Sequence, residues 1–360
     1  MAQKGIKQYF DEANVIKAYS ALNKLTMIED FNYPSHVTPV KQTGNVFEIE
    51  RGVIYNPAAP VMNIDGSTPE FKNGSVDKFI GKFDAIGNHK LMGAEEYMNR
   101  SEGAFEKSAT LTRMGELAEL AVISNMMRVE DIFLRTLSST RLTLTAKTNN
   151  IKGIDKTIDY RVPAAQKSGV TTAWSTSATA VPLTDIQTFY NTLYVLGFRP
   201  TKIRMKQVVL LRLLACKQVT DLGLMGGVGT ASNFVTLEVF NKFLQQLRLP
   251  IIELIEDNVT HSDKNGKITA INSYVEDNIV FVDNDIYGNL PWRYPVAEQK
   301  IGQTDSGIFT LVNQMAVLNT IETTDPFNMK VMAKLYGIII LPRLYNFGFM
   351  STEDTTFQYS

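Results

Sequence analysis

Residues 94–139 form the stretch that most restricts how this chain can fold. The stretch contains no proline, and its apolar or small residues recur at the three- and four-residue spacing of one helix face. This pattern includes Met114, Leu117, Ala118, Ala121 and Val122. Glutamates lie early and arginines lie late, which suits the helix dipole. If neither Gly103 nor Gly115 interrupts it, the predicted helix is about 65 Å long, so it would act as a strut.

The segments before this helix have little of the apolar periodicity that would let them form a core of their own. Residues 1–44 predict an extended arm, with a short amphipathic helix from Phe10 to Leu25 and helix breakers after it. Residues 45–55 alternate apolar and charged side chains, which predicts a strand interrupted at Gly52. Residues 56–75 are rich in proline and glycine, which predicts a long interaction loop, with a hairpin tip as one arrangement for it.

Beyond the strut, strand and helix patterns alternate. Residues 142–162 predict two strands, and a polar linker runs from them to residue 180. A capping box at Thr184 and Gln187 predicts the start of a helix that Gly197 ends. Two more helices, QVVLLRLLACKQV and TLEVFNKFLQQL, are predicted among the strands KIRM, IIELI and NIVFVD.

After residue 300 the chain returns to strand patterns. Residues 301–322 alternate, and residues 329–350 predict a buried strand with Pro342 near its end, followed by a polar tail. The order of segments therefore predicts an α+β protein in which an α/β block is inserted between two strand-rich regions.

Composition and charge exclude several classes of protein. The formal net charge is -1, so the chain lacks the basic excess of a protein whose main task is gripping nucleic acid. The single cysteine, Cys216, allows no intrachain disulfide, and its apolar neighbours predict a buried side chain rather than a reactive thiol. Neither a membrane-length apolar stretch nor a signal-peptide pattern occurs. We therefore expect no membrane contact and synthesis in a reducing cytoplasm.

No motif predicts catalysis, a metal site or a cofactor. His36, His89 and His261 lie in separate loop-like segments without the spacing of zinc ligands. The glycine-rich residues 223–230 lack the P-loop lysine and the third Rossmann glycine, so a flexible loop at a subunit junction is the better interpretation. No GxSxG sequence occurs, and neighbouring carboxylates fit solvated faces or turns. We expect a protein that is not an enzyme.

A proline-flanked aromatic cluster, NLPWRYPV, is a candidate contact surface. Trp292, Arg293 and Tyr294 belong to the residue types that are enriched at the energetic centres of interfaces. Packing of this loop onto its own domain is an equally good interpretation, and the sequence leaves both open.

The order of segments resembles the major capsid protein E family of lambda-like phages. RVEDIFLRTLSSTRLTLTA, residues 128–146, is similar to that family's helix end running into a first core strand. A strand of the TIDYRVP type, the pair Ala173-Trp174 and the helix start Pro182 to Ile186 follow in the same order. The similarity continues through FRPTKIRM, IIELIEDNVT and NIVFVDN to Thr324-Asp325-Pro326 and KLYGIIILPRL. No single motif is specific, and the resemblance rests on this collinear series over about residues 80–345.

The resemblance implies an HK97-like capsid fold, which has an N-terminal arm, an extended loop, a long spine helix, a peripheral domain and an inserted axial α/β domain. On the extended loop, Phe47, Ile49, Phe71 and Lys72 are candidate contacts between subunits. The implied parts are an arm at 1–45, an extended-loop region at 46–92, a peripheral domain with the spine helix at 93–181, an axial domain at 182–300, and a peripheral return with the C-terminal tail at 301–360.

The implied function is that of a tailed-phage major capsid protein, which self-assembles into the hexamers and pentamers of an icosahedral head around dsDNA. The implied partners are copies of itself, a scaffolding protein, a portal, a decoration protein and DNA packaged without sequence-specific recognition. The implied location is the virion, after assembly in the host cytoplasm. Some relatives cross-link a loop lysine to an asparagine, for which Lys72, Lys78 or Lys82 with Asn346 are candidates, but no matching catalytic glutamate is present.

Two alternatives belong to other functional classes. An encapsulin-like shell protein would share the fold and enclose enzymes in a cellular compartment. A soluble α/β enzyme would require a catalytic site that none of the motifs above indicates.

Overall fold

A computed structural model gives the structure of the chain. It describes residues 37–42, 46–52, 76–82, 84–93, 106–145, 155–225, 235–255, 259–262, 268–271, 273–275, 277–283, 290–295, 310–312, 316–324, 327–341 and 346–357. The helices in these residues are α1 (Glu106–Ser139), α2 (Pro182–Val195), α3 (Gln207–Ala215), α4 (Lys217–Met225) and α5 (Leu237–Gln246). The described strands form two larger sheets and three hairpins, and together with these helices they make an α+β fold. No helix in the described part of the chain is long and apolar enough to span a membrane.

The long helix predicted from the sequence is present as α1. It runs without interruption through Gly115 for 34 residues, or about 51 Å. Residues 94–105 of the predicted helix, with Gly103, lie outside the described residues. From Val129 onward nearly every side chain is buried, so the last third of α1 is enclosed on all sides. Thr140, with a φ of 59°, turns the chain out of the helix.

The larger sheet has six strands. Its order is β1 (Val37–Gln42), β13 (Leu290–Pro295), β16 (Phe327–Ile339), β15 (Ala316–Thr324) and β14 (Thr310–Val312), and β4 (Asp84–Gly93) also pairs with β16. β16 is the long central strand, in register with β4 from Asn328 to Gly337. Residues predicted to be arm and extended loop therefore contribute two strands, β1 and β4, to this sheet.

The second sheet has five described strands, and its three central strands are buried on both faces. Its order is β7 (Lys167–Ser168), β17 (Phe347–Ser351), β12 (Asn278–Val282), β8 (Lys202–Met205) and β9 (Ile251–Leu254). Alternate residues serve two hydrophobic cores, because side chains point to opposite faces along a strand. Ile279, Phe281 and Met350 belong to the core around α2, α3 and α5, whereas Val280, Val282, Phe347 and Phe349 belong to the core around α1.

Three antiparallel hairpins complete the described fold. β2 (Val46–Gly52) pairs with β3 (Val76–Lys82), β5 (Arg141–Leu144) with β6 (Lys156–Asp159), and β10 (Val259–Ser262) with β11 (Ile268–Ile271). The first confirms the strand predicted within 45–55, and the second confirms the strand pair predicted within 142–162.

The predicted ends of α2 are half right. The capping box at Thr184 and Gln187 is wrong, because the helix begins at Pro182 with Val181 as N-cap. Proline suits the first helical position, where its missing N–H has no partner to lose. Gly197 ends the helix as predicted: its φ is 85°, and its N–H donates to the Tyr194 carbonyl at 3.0 Å.

The helix predicted for QVVLLRLLACKQV is wrong as a single helix. The chain leaves helical geometry at Cys216, with φ -66° and ψ 138°, and restarts as α4. The N–H of Lys217, the first residue of α4, donates to the Ser177 carbonyl at 2.8 Å. This contact is distant in sequence, so periodicity within the helix could not indicate the break.

The prediction of a polar linker up to residue 180 is also wrong. It is packed into the fold, with a 3-10 turn at Ala164–Gln166 and a fully buried Trp174. The Trp174 N–H donates to the carbonyl of Thr352 at 2.9 Å, and the N–H of Val170 donates to that of Asp354 at 2.9 Å. The segment therefore holds the C-terminal end of the chain, which the sequence presented only as a polar tail.

Candidate functional site

The hairpin of β2 and β3 carries two of the predicted contact residues. Phe47 is in register with Gly81 and Ile49 with Phe79, so positions 47, 49 and 79 share one face of the hairpin. On the other face Ile80 is 61% exposed. Within the described sheets β2 and β3 pair only with each other. A two-stranded ribbon is marginally stable alone in water, so packing on another surface would stabilise this hairpin.

The other two predicted loop contacts, Phe71 and Lys72, lie outside the described residues. The hairpin strands stop at Gly52 and begin again at Val76, so these two positions belong to the segment that joins the ends of β2 and β3.

The predicted contact cluster at Trp292, Arg293 and Tyr294 lies in a strand, which corrects the prediction of a loop. β13 runs parallel to β1 on one side and pairs with Ile338 and Ile339 of β16. The flanking prolines suggested a loop, but they occupy strand positions here. Because β13 has strand neighbours on both sides, its backbone is engaged within the sheet. Arg293 is half-buried.

A buried carboxylate joins α1 to the segment that precedes β12. Asp131 has no exposed surface, and it accepts hydrogen bonds from Arg128 at 2.6 Å, Arg135 at 2.7 Å and Ser273 at 2.5 Å. A buried charge is tolerated when it is paired and hydrogen-bonded, as it is here. Ser273 is distant in sequence, so this cluster fixes where the segment before β12 crosses the helix.

The last turn of α1 makes further polar contacts with the same segment. The Ser138 hydroxyl accepts from the Val275 N–H at 2.9 Å, and the Ser138 carbonyl accepts from the Asn278 side chain at 2.9 Å. The Tyr160 hydroxyl donates to the Ile339 carbonyl at 3.1 Å and lies 3.1 Å from the Thr136 hydroxyl. Helix α1 is thus tied to strands of both larger sheets.

A second buried carboxylate, Asp185 near the start of α2, joins two of the motifs quoted above. Asp185 Oδ2 accepts from the Trp174 indole N–H at 3.2 Å. Asp185 Oδ1 accepts from the N–H and hydroxyl of Thr171 at 3.3 and 3.1 Å. The sequence placed both residues in matched motifs without predicting that they touch, and their spacing gave no signal of it.

An ion cluster ties α3 to the C-terminal segment. Arg212 contacts Asp277 at 2.6 Å and Glu353 at 3.1 Å, and Glu353 also accepts from the Ser175 hydroxyl at 2.5 Å. Sequence analysis missed these residues because charged side chains in turns and tails usually face solvent.

Among the residues that the structure describes, two titratable groups have a clearly shifted pKa. Burial, together with the charges of Asp185 and Glu353, raises the pKa of the Cys216 thiol to about 11. Burial acts to raise the pKa of Asp159 as well, but hydrogen bonds from the Arg161 N–H and the Arg141 side chain outweigh it and lower that pKa.

Among the residues that the structure describes, no group of histidine, cysteine and carboxylate side chains is placed to hold a metal ion. His89 lies on β4 and His261 on β10, so the prediction that they occupy loops is wrong. His36 and most of the glycine-rich loop, residues 226–230, lie outside the described residues.

No family model matches the chain, and no curated protein sequence matches it. A crystal structure assigned as a prophage capsid protein from E. coli CFT073 matches it with a TM-score of 0.56 at 14% identity. That match covers 94% of this chain and 98% of the prophage protein.

Two further similar structures have lower scores. The match to the capsid of the Myoviridae phage XM1 covers 89% of this chain and 90% of the phage chain, at 11% identity and a TM-score of 0.45. The match to the holo-SrpI encapsulin complex from Synechococcus elongatus PCC 7942 covers 93% of this chain and 89% of the encapsulin chain, at 11% identity and a TM-score of 0.40.

The match to the prophage protein confirms the predicted fold class. The chain has the α+β, HK97-like fold of phage capsid proteins, and the likeness extends over nearly the whole of both chains. At this level of identity the comparison establishes the fold alone.

Proposed function

We propose that this chain is the major capsid protein of a tailed bacteriophage, and that it assembles into the hexamers and pentamers of an icosahedral head. The observation that carries the proposal is the match of its fold to a prophage capsid protein over 94% of the chain. The hairpin of β2 and β3 supports it, because this ribbon pairs with no other described strand and would be stabilised on a neighbouring copy.

The contacts between copies follow from these features. Phe47 and Ile49 would pack on the neighbouring subunit from one face of the hairpin, with Phe71 and Lys72 extending the same contact. Trp292, Arg293 and Tyr294 would meet a neighbour through their side chains, since β13 is held between other strands. Many weak contacts of this kind add up when they are repeated around a closed shell.

The division into parts is proposed along the same lines. Residues 1–45 form the arm, 46–92 the extended loop, 93–181 the peripheral domain with α1, 182–300 the axial domain, and 301–360 the peripheral return and tail. Two strands pair across these boundaries. β13 pairs with β1 and β16 in the six-stranded sheet, and β17 pairs with β12 in the five-stranded sheet of the axial part.

The finer assignments rest on the sequence resemblance. We propose that the chain belongs to the lambda-like E family, is not an enzyme, and works with a scaffolding protein, a portal and a decoration protein. It would enclose dsDNA without recognising its sequence, for which a net charge of -1 is suitable. Its place would be the virion, after assembly in the host cytoplasm.

The test is expression of the whole chain, alone and with the proteins encoded beside it, followed by sedimentation and negative-stain electron microscopy. Closed particles of uniform size are expected. A compact monomer or small oligomer under all these conditions would overturn the proposal and favour a soluble enzyme. Particles that enclose a co-purified enzyme and no DNA, in cells that carry the neighbouring genes, would favour the encapsulin-like alternative.

A further inference from the structure

The five-stranded sheet ends in β9, and no described strand pairs with β9 on its outer side. The backbone of β9 alternates in the direction of its hydrogen bonds, as in any parallel pair. The N–H groups of Ile251 and Ile255 donate to carbonyls on the β8 side of the strand, at 3.2 and 3.0 Å. The residues that alternate with them, Ile252 and Leu254, therefore direct their backbone N–H and C=O groups to the outer side.

The side chain of Asn241, on α5, occupies the outer side of β9 at Ile252. Asn241 Oδ1 accepts from the Ile252 N–H at 2.8 Å, and Asn241 Nδ2 donates to the Ile252 carbonyl at 3.0 Å. In an antiparallel pair of strands, two opposite residues exchange the same two hydrogen bonds. The carboxamide of Asn241 therefore takes the place that a residue of a further strand would take.

Helix α5 holds this carboxamide at the edge of the sheet. Phe240 and Leu244 of α5 are buried in the core on one face of the sheet, whereas Asn241 is half-buried. The Thr236 side chain caps the start of the helix, and the N–H of Leu249 donates to the Leu244 carbonyl after its end at 2.9 Å. These contacts fix α5 without Asn241, so removing the Asn241 side chain would clear the edge while the helix stays in place.

The residues of β9 themselves give this edge little protection. Lysine, proline or a charge directed outward on an edge strand discourages pairing with another strand. Residues 251–254, IIEL, contain neither lysine nor proline. Their one charged side chain, Glu253, contacts Lys202 at 3.1 Å and Arg204 at 2.9 Å. Because both of these cations belong to β8, the carboxylate is directed back into the sheet rather than out from its edge.

We propose that Asn241 is an edge cap, which prevents β9 from pairing with the β9 strand of a second copy. Without this cap, two copies would join their β9 strands edge to edge in antiparallel orientation and extend one sheet through both molecules. Such a contact is self-complementary, so a second copy supplies a matching edge. The inference does not depend on the proposed shell function, because it concerns the chain before any assembly.

The test is sedimentation velocity of the whole chain over a series of concentrations, under conditions in which the unaltered chain stays monomeric. Asn241→Ala opens the edge and should lower the concentration at which half of the chain is associated by about tenfold or more, because each copy regains two backbone hydrogen bonds. Asn241→Asp places a charge at the same edge and should stay monomeric. Lys242→Ala, at the exposed next position of α5, is the matched control and should also stay monomeric.

Urea denaturation separates edge pairing from a loss of stability. Both Asn241 variants lose the hydrogen bond to the Ile252 carbonyl, so both should have a lower urea midpoint, whereas only Asn241→Ala should associate. Equal association of the two variants would mean that a loosened α5 causes it, and the edge cap would be overturned. An Asn241→Ala chain that stays monomeric would overturn it as well. Neither result bears on the shell function, which particle formation by the unaltered chain tests separately.

Discussion

Asp185 shows how one buried side chain holds two distant segments of this chain together. Its carboxylate accepts the Trp174 indole N–H and two donors of Thr171, at a position where water has little access. Without it, the buried Trp174 indole N–H would lose its partner, and that desolvation penalty is larger than the net value of a typical hydrogen bond.

Asp185→Ala should therefore lower the free energy of unfolding by about 3 kcal/mol, and Asp185→Asn, which keeps one acceptor oxygen, by about 1 kcal/mol. Urea denaturation of the unassembled chain measures both values. Asp221→Ala, at an exposed position on α4, is the control and should change stability by less than about 0.5 kcal/mol. Equal effects of the alanine and asparagine variants would contradict this role for the carboxylate.

Cys216 is predicted to be inert while the chain is folded. Its pKa is raised to about 11, so at pH 8 only a small fraction is thiolate, and the side chain has no exposed surface. Labelling with a thiol reagent at pH 8 should be slower by roughly a hundredfold or more in the folded chain than in urea. Similar rates in both states would show that the break between α3 and α4 opens readily.

Asp159 should make a small, pH-dependent contribution to stability. Its pKa is lower when folded than the ordinary 3.8, so the stabilisation is present above that value and is lost as pH falls through the folded pKa. Asp159→Asn should destabilise the chain at pH 7 by less than about 1 kcal/mol, since the ion pair with Arg141 is partly exposed. Denaturation from pH 7 to pH 3 should show this difference shrinking below about pH 4, and a constant difference would contradict it.

At the scale of elements, the C-terminal segment lies so close to Gly169 that a side chain has no room. A Cβ atom at residue 169 would overlap the backbone of Asp354 and Thr355. Gly169→Ala should displace this segment and lower the free energy of unfolding by about 2 kcal/mol. Proteolysis from the C-terminus, followed by mass spectrometry, should then proceed faster than in the unaltered chain. Ala165→Gly, in the exposed turn just before, is the control and should leave that rate unchanged.

Local periodicity predicted the elements that local forces determine. The apolar spacing of α1 and the alternation of β2 were sufficient to place both, because each pattern matches the geometry of its element. The break at Cys216 and the packed segment around Trp174 were missed for the opposite reason. Both depend on hydrogen bonds to residues far away in sequence, Ser177 and Thr352, which no window along the chain reports.

At the scale of the whole molecule, the two hydrophobic cores share one sheet. β12 and β17 give alternate side chains to the core around α1 and to the core around the shorter helices. Strands that are distant in sequence pair within one sheet, and the order of segments along the chain does not indicate which strands pair. For this reason the collinear resemblance predicted the fold class, whereas the pairing of β13 and β17 required the structure. The sequence predicted which residues are candidate contacts but not which residues they touch, since those partners would belong to another molecule.

The hairpin of β2 and β3 gives the sharpest test of assembly at this scale. In the double variant Phe47→Asp with Ile49→Asp, two charges replace apolar residues on one face of the hairpin. If that face lies on a neighbouring copy, particle yield should fall by roughly tenfold or more, because burying each apolar side chain contributes on the order of 2 kcal/mol. Sedimentation of the assembly mixture measures the yield.

The matched control places a charge on the other face of the same hairpin. Ile80→Asp alters a residue that is already 61% exposed, so it should leave particle yield close to that of the unaltered chain. Both variants should keep the urea midpoint of the unassembled chain, since β2 and β3 pair with no other described strand. A lower midpoint for the double variant would mean that positions 47 and 49 pack within their own subunit. Equal yields for all three proteins would mean that the hairpin contributes nothing to the contact between copies.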